Sequence, residues 1–215
     1  MEDQLQEIFA FIHNRLSVLD TKREQILIAS REIIRNCSVT IKHIHRKDIK
    51  LAEELASKVR ESLKELEKIR DPSLNVDNNV LTAYQEYVEA IQFLHFSLSK
   101  PFMKPQEDEQ IPILAYLHGM ADLVGELRRY CLDKLKDSST FSDAERSMNC
   151  MEDVYDSLLS LDFPSGLIVG VRKKTDIARN IVEKTRGDLV LAYNRGKIEE
   201  KIDSLLKTIK EDEGK

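Results

Sequence analysis

The sequence of 215 residues contains no tryptophan, few aromatic residues and only three cysteines, Cys37, Cys131 and Cys150. The cysteines are odd in number and lack CxxC spacing, which argues against a disulfide framework and against a structural zinc site. No run of about 18 apolar residues is present, and no charged leader is followed by an apolar segment. We therefore expect a cytoplasmic protein with reduced thiols and no membrane partner.

Several catalytic motifs are also missing. The sequence has no glycine-rich phosphate loop, no GxSxG, no HExxH and no Glu-x-x-His of the kind found in di-iron bundles. Their absence argues against a nucleotide hydrolase, a serine hydrolase and a ferritin-like oxidase.

What the sequence does contain is a helical pattern. Hydrophobic residues make up 41% and charged residues 33%, and the apolar residues recur at spacings of three and four through long blocks. We predict an all-α single domain over residues 1–215, a bundle of about seven helices with a frayed tail at 211–215. The first helix, with apolar positions from Ile8 to Ile44, would be roughly 60 Å long. Because this exceeds what a compact domain needs, we expect part of it to pack on another subunit.

Prolines and polar runs divide the rest of the chain. They predict loops over residues 70–79 and over the acidic segment 100–112, and Arg195-Gly196 predicts a helix stop. The remaining helices are expected at about 48–69, 84–98, 115–135, 142–161, 169–194 and 197–210.

Two predicted helices carry pairs of acidic residues beside their apolar stripes. Glu86 and Glu89 are three residues apart and Asp122 and Glu126 are four apart, so each pair occupies one side of its helix. Taken alone, either pair is typical of a solvated helix face. Together they offer oxygen ligands of the kind that Mg²⁺ or Mn²⁺ prefers, and such ions activate water for phosphodiester cleavage.

Glycines in the second of these helices indicate a close helix contact. Gly119 and Gly125 flank Asp122, and each costs about 1 kcal/mol relative to alanine in a helix interior. We interpret them as positions where the helix at 84–98 approaches closely and brings the two acid pairs together.

The charge distribution is uneven. Residues 22–47 contain seven basic and two acidic residues, whereas residues 71–163 contain seventeen acidic and seven basic ones. A basic segment of this kind favours phosphate contacts, although a solvated helix end explains part of it equally well. The candidate nucleic-acid ligands are Arg31, Arg35, Lys42, His45 and Arg46.

At both acidic motifs, the sequence resembles the translin and translin-associated factor X family. The matching segments are Gln85-Glu86-Tyr87-Val88-Glu89-Ala90 and Gly119-Met120-Ala121-Asp122-Leu123-Val124-Gly125-Glu126-Leu127-Arg128. The resemblance continues at Ser30-Arg31-Glu32-Ile33, Val171-Arg172-Lys173-Lys174-Thr175-Asp176 and Tyr193-Asn194-Arg195-Gly196. It implies an all-α fold with seven helices per subunit and a hollow octamer that encloses RNA.

The resemblance also implies an activity. Factor X subunits carry a Mg²⁺-dependent endoribonuclease site, which corresponds here to Glu86, Glu89 and Asp122 with Glu126 in support; translin lacks the glutamates of the first motif. We therefore expect a homo-oligomer that cleaves single-stranded or locally unpaired RNA with Mg²⁺, or with Mn²⁺ in its place. The alternatives are an oligomer that binds RNA or single-stranded DNA without cutting it, and an assembly scaffold.

Overall fold

The computed structural model describes residues 2–71, 74, 76–105 and 111–213. Over these residues it contains six α-helices and no strand, which confirms the all-α class. The helices are α1 (Glu2–His45), α2 (Ile49–Ile69), α3 (Asp77–Ser97), α4 (Ile113–Lys134), α5 (Phe141–Leu159) and α6 (Val171–Glu213). A short 3-10 helix, Ser138–Thr140, precedes α5. The acidic run expected to be a solvated loop, residues 106–109, lies outside the described residues.

The chain forms two compact units, Met1–Met120 and Ala121–Lys215, and the boundary between them falls inside α4. We call them unit 1 and unit 2. The single domain expected over the whole chain stays a prediction.

In unit 1, α1 packs against both α2 and α3. Only the second half of α1 takes part in this core, through buried side chains from Ile26 to Ile44. Between residues 3 and 18 every side chain of α1 is exposed, including large apolar ones such as Phe9 and Phe11. The predicted long first helix is therefore confirmed, and its packing on another subunit stays a prediction.

The turn after α1 ends the helix without a glycine. Lys47 has a φ of 65°, in the left-handed region, and its amide donates to the Ile44 carbonyl while the amide of Asp48 donates to the His43 carbonyl. This pair of hydrogen bonds is the Schellman arrangement, which satisfies the last carbonyls of a helix. The turn fixes the direction in which the chain continues after the basic end of α1.

The predicted loop over residues 70–79 is shorter than expected, because α3 begins at Asp77 and includes Asn78 and Asn79. A carboxylate in the first turn stabilises a helix N-terminus. Here the Arg70 guanidinium also donates to Asp77 at 3.0 Å, which ties the start of α3 to the end of α2.

The predicted helix stop at Arg195-Gly196 is wrong, because α6 continues from Val171 to Glu213. Side-chain pairs four residues apart support the helix across the glycine. Arg195 donates to Glu199 at 2.9 Å, and the Lys197 ammonium lies 5.2 Å from the centre of the Tyr193 ring. These local contacts outweigh the poor helix propensity of one glycine, so the chain has one long last helix instead of two.

Gly119 makes the close contact that its position predicted. A Cβ at this residue would lie 2.6 Å from the Gln85 carbonyl oxygen and 2.7 Å from the Val88 Cβ. The start of α4 is therefore pressed against α3 at the motif that carries Glu86 and Glu89. The same expectation is wrong for Gly125, where an added Cβ would meet no atom within 4 Å.

In unit 2, hydrogen bonds from α4 hold α5 and α6. Arg128 donates to Thr185 at 2.6 Å and to Asp188 at 2.9 Å, while Ser147 of α5 donates to the Leu127 carbonyl at 2.8 Å. Because Thr185 and Ser147 are fully buried, breaking these bonds would leave polar groups unsatisfied in the core. The network fixes the register of α4 against the other two helices.

One buried thiol in unit 1 lies near the first acid pair. Cys37 of α1 is 1% exposed, and burial raises its pKa well above the usual range, with the charges of Glu86 and Glu89 adding to the effect. The thiol is therefore neutral and unreactive at physiological pH.

The two glycines of α4 give a matched test of the helix contact. We expect Gly119→Ala to destabilise the protein by about 1–3 kcal/mol, because the new methyl group overlaps a backbone oxygen that cannot move aside easily. Gly125→Ala should stabilise it by up to about 1 kcal/mol, because alanine is the better helix former and meets no neighbour. Urea unfolding of both variants measures the difference, and equal effects would refute the contact.

The raised pKa of Cys37 predicts a dependence of stability on pH. Above the ordinary thiol pKa of about 8.5, the unfolded chain loses this proton while the folded chain keeps it, so the folded state loses stability as pH rises. Cys37→Ala lacks this penalty. The difference in free energy of unfolding between Cys37→Ala and the parent should therefore shrink between pH 8 and 10.5. Urea unfolding at several pH values measures it.

Ile41→Val is the control for this experiment, because it truncates a buried side chain of the same helix that does not ionise. Its free-energy difference should stay constant over the same range. A Cys37→Ala difference that is equally constant would contradict the raised pKa.

Candidate functional site

The first acid pair lies at the edge of the unit 1 core. Glu86 and Glu89 are half-buried on α3, between the buried side chains of Tyr87, Val88 and Ala90. Both carboxylates are close enough to Cys37 of α1 to raise the pKa of its thiol. The pair is therefore held beside an apolar wall and keeps partial access to solvent, which suits carboxylates that bind a cation.

The second acid pair lies in unit 2, where Asp122 has a cation against it. The Lys174 ammonium of α6 donates to Asp122 Oδ1 at 2.7 Å and to Oδ2 at 2.5 Å. Less than a third of either side chain is exposed, 24% for Lys174 and 30% for Asp122. Glu126 is also partly covered and has a distant ion pair with Arg129, at 3.9 Å.

Lys174 is the residue of this site that sequence reasoning did not assign. A signal was present, since Arg172, Lys173 and Lys174 are three consecutive cations in the first turn of α6. Cations are unfavourable at a helix N-terminus because the macrodipole is positive there. Such a local conflict is a reason to look for a role, but it does not identify Asp122 as the partner.

The two acid pairs belong to different units, and their convergence on one cation stays a prediction. Among the described residues of each unit, no group of three or more histidine, cysteine or carboxylate side chains is placed to hold a metal ion. The donor chemistry nevertheless fits a hard cation. All four predicted ligands offer carboxylate oxygens, and both oxygens of Asp122 already accept bonds from a positive group.

Four of the five predicted nucleic-acid ligands form one stripe along the C-terminal half of α1, with Arg46 directly after the last residue of the helix. Arg31, Arg35, Lys42 and Arg46 are all exposed, and their positions fall within about 60° of helix rotation and roughly 22 Å of helix length. The stripe lies on the side of α1 roughly opposite its buried face. Four aligned cations over this length form a surface to which the phosphates of a nucleic-acid backbone can bind.

The fifth predicted ligand, His45, has a different environment. Its ring is half-buried and lies 4.8 Å from the ring of Phe93, which is fully buried in α3. His45 therefore contributes to the packing of unit 1. His43, two residues before His45, has its Nδ1 3.4 Å from Asp48 Oδ2.

Within the described residues, no helix is both long and apolar enough to span a bilayer.

Comparison with known proteins identifies relatives that cover most of the chain. Residues 21–186 match the model of the Translin family. The uncharacterized protein MJ0175 of Methanocaldococcus jannaschii is 33% identical over 192 residues, which are 88% of this chain and 85% of that protein.

Solved structures are similar over the same extent. AfC3PO in complex with duplex RNA has 33% sequence identity and a TM-score of 0.79, and a crystal structure of AfC3PO has 34% identity and the same TM-score. Each of the two comparisons covers 87% of this chain and 97% of the AfC3PO chain. Apo-NeC3PO is similar in fold, with 20% identity and a TM-score of 0.75. That comparison covers 86% of this chain and 96% of the NeC3PO chain. The family match and these relatives together establish that this chain belongs to the Translin family.

Proposed function

We propose that this protein binds RNA and cleaves it as a divalent-metal-dependent endoribonuclease of the factor X type. The observation that carries the proposal is the partial burial of Asp122, a carboxylate whose side chain is 30% exposed. Its three predicted partners, Glu86, Glu89 and Glu126, are half-buried on their own helices in the same way. A solvated helix face would leave such side chains exposed.

RNA binding is the part of the proposal with the broadest support. The chain is similar to AfC3PO, which has been solved with duplex RNA. The basic stripe of Arg31, Arg35, Lys42 and Arg46 provides the phosphate contacts. The substrate we propose is single-stranded RNA or a short duplex with unpaired nucleotides.

Glu86, Glu89, Asp122 and Glu126 are the residues that would hold Mg²⁺ or Mn²⁺. When bound, the metal supplies an activated water and stabilises the leaving oxygen of the phosphodiester. The carboxylates set the position of the ion, while the apolar wall formed by Val88 and Ala90 limits the access of solvent to the first pair. The basic stripe orients the RNA backbone and does not itself take part in the chemistry.

The proposal includes a hollow homo-oligomer, an octamer by resemblance. In unit 1 the basic stripe and the Glu86–Glu89 pair lie on different sides of α1, because the carboxylates neighbour Cys37 on its buried face. An enclosing assembly lets RNA bound along one subunit reach the carboxylates of another. The exposed apolar residues of α1, among them Leu5, Ile8, Phe9 and Ile12, provide a surface for such contacts.

A second candidate function is RNA or single-stranded DNA binding without cleavage. It is favoured by one observation: Lys174 satisfies both oxygens of Asp122, so this carboxylate is stable without a metal. The cleavage experiment below distinguishes the two functions.

Neutral isosteres of the carboxylates test the nuclease directly. We expect Glu89→Gln and Asp122→Asn each to lower the rate of RNA cleavage by at least about 100-fold, because each removes a charge that binds the catalytic cation. RNA affinity and assembly should be unchanged. Cleavage of a labelled single-stranded RNA is followed with Mg²⁺, with Mn²⁺ and with chelator.

Glu65→Gln and Asp153→Asn are the controls, because both are exposed carboxylates on other helices and make the same chemical change. They should cleave at the parental rate. RNA binding without cleavage by the parent in either metal would instead establish the non-catalytic function.

The basic stripe is tested by the salt dependence of RNA binding. We expect the double variant Arg35→Gln, Lys42→Gln to bind RNA more weakly and to lower the slope of log K against log salt by about 2, one for each lost phosphate contact. The control is Lys50→Gln with Lys58→Gln, two exposed cations of α2. Equal slopes for both double variants would place the RNA elsewhere.

A further inference from the structure

The Asp122–Lys174 pair has a geometry that bears on how a cation reaches the site. The ammonium lies within 2.7 Å of one carboxylate oxygen and 2.5 Å of the other, so it occupies the position between them. With 30% and 24% exposure, the two groups are only partly screened by water. Their attraction is therefore stronger than that of an exposed surface pair.

The helices that carry the pair are fixed, whereas the lysine side chain is long. Arg128 of α4 holds Thr185 and Asp188 of α6, and Thr175 of α6 is itself buried beside Lys174 in the sequence. The separation of the two backbones is therefore set by unit 2. The four-carbon side chain of Lys174 is the part that can move without disturbing this packing.

From this geometry we infer that Lys174 is a positioning residue for Asp122, which it holds as a counter-ion and releases when a divalent cation binds. The inference rests on the proposed function, in which Asp122 is a metal ligand. Mg²⁺ binds carboxylate oxygens at about 2.0–2.1 Å, so the ion and the ammonium compete for the same lone pairs and repel each other. Binding of the metal therefore requires the ammonium to leave at least one oxygen.

Two helix neighbours support a specific role for Lys174. Arg172 is directed to the preceding loop, where it donates to the Phe163 carbonyl at 3.2 Å, and Lys173 is exposed. Of these three consecutive cations, Lys174 is the one with a bond to a carboxylate of the proposed site. The unfavourable position of a cation in the first turn of α6 is thus offset by the Asp122 contact.

The test is a titration of the metal-free, 215-residue protein with Mn²⁺, in which free Mn²⁺ is measured by electron paramagnetic resonance. We expect Lys174→Met to bind Mn²⁺ roughly tenfold more tightly than the parent, because the competing cation is gone. Lys174→Arg should bind it more weakly, because a guanidinium holds both carboxylate oxygens in a rigid fork. Lys173→Met removes an equal charge one residue away and should leave the affinity within a factor of about two.

The outcomes separate this inference from the proposed function. Unchanged or weaker Mn²⁺ binding by Lys174→Met, with binding that Asp122→Asn still abolishes, overturns the counter-ion role and leaves the metal site intact. No Mn²⁺ binding by the parent, Lys174→Met or Asp122→Asn overturns the metal site and the exchange together. Thermal unfolding monitored by circular dichroism verifies that each variant is folded before the titration is interpreted.

Discussion

The contact of α4 with α3 at Gly119 is the constraint on which the first half of the proposed site depends. A residue with a Cβ would overlap the Gln85 carbonyl, so the two backbones meet at a distance that only glycine permits. Gln85 and Val88 face this contact, whereas Glu86 and Glu89 lie further round α3, close enough to α1 for their charges to act on Cys37. Both glutamates are half-buried, at the edge of the unit 1 core.

The electrostatics of the molecule follow from these positions. Burial and the two glutamate charges keep Cys37 neutral, so its thiol adds no negative charge beside the carboxylates at the edge of the unit 1 core. In unit 2, the negative charge of Asp122 is neutralised by the Lys174 ammonium, which donates to both carboxylate oxygens. Removing one partner of such a pair would destabilise the fold by more than the intact pair stabilises it, because the remaining charge is left without its counter-ion. The effects of substituting the two residues are therefore not additive.

Sequence reasoning identified the features that depend on local pattern. The helical period gave the class, the first two helices and the fifth to within a few residues, because each has a continuous apolar face that must be buried. It failed where a tertiary or side-chain contact overrides local propensity. Gly196 predicts a helix end, but α6 continues past it with support from the Arg195–Glu199 pair. Gly125 predicts a close helix contact, but a Cβ added there would face open space. The Asp122–Lys174 bond joins residues 52 apart, which no periodicity records.

Under the proposed function, that bond lets one chain both bind RNA and cleave it. A carboxylate that required a metal to be stable would make the fold dependent on the metal supply, whereas Asp122 with its lysine is neutralised in either state. The Lys174 ammonium also weakens metal binding, because a divalent cation must displace it from Asp122 before it can occupy the site. In this scheme the strength of the Lys174 contact sets the metal concentration at which the nuclease becomes active, and below that concentration the basic stripe of α1 still binds RNA. Binding and cleavage are then two states of one protein, separated by the exchange of a single cation.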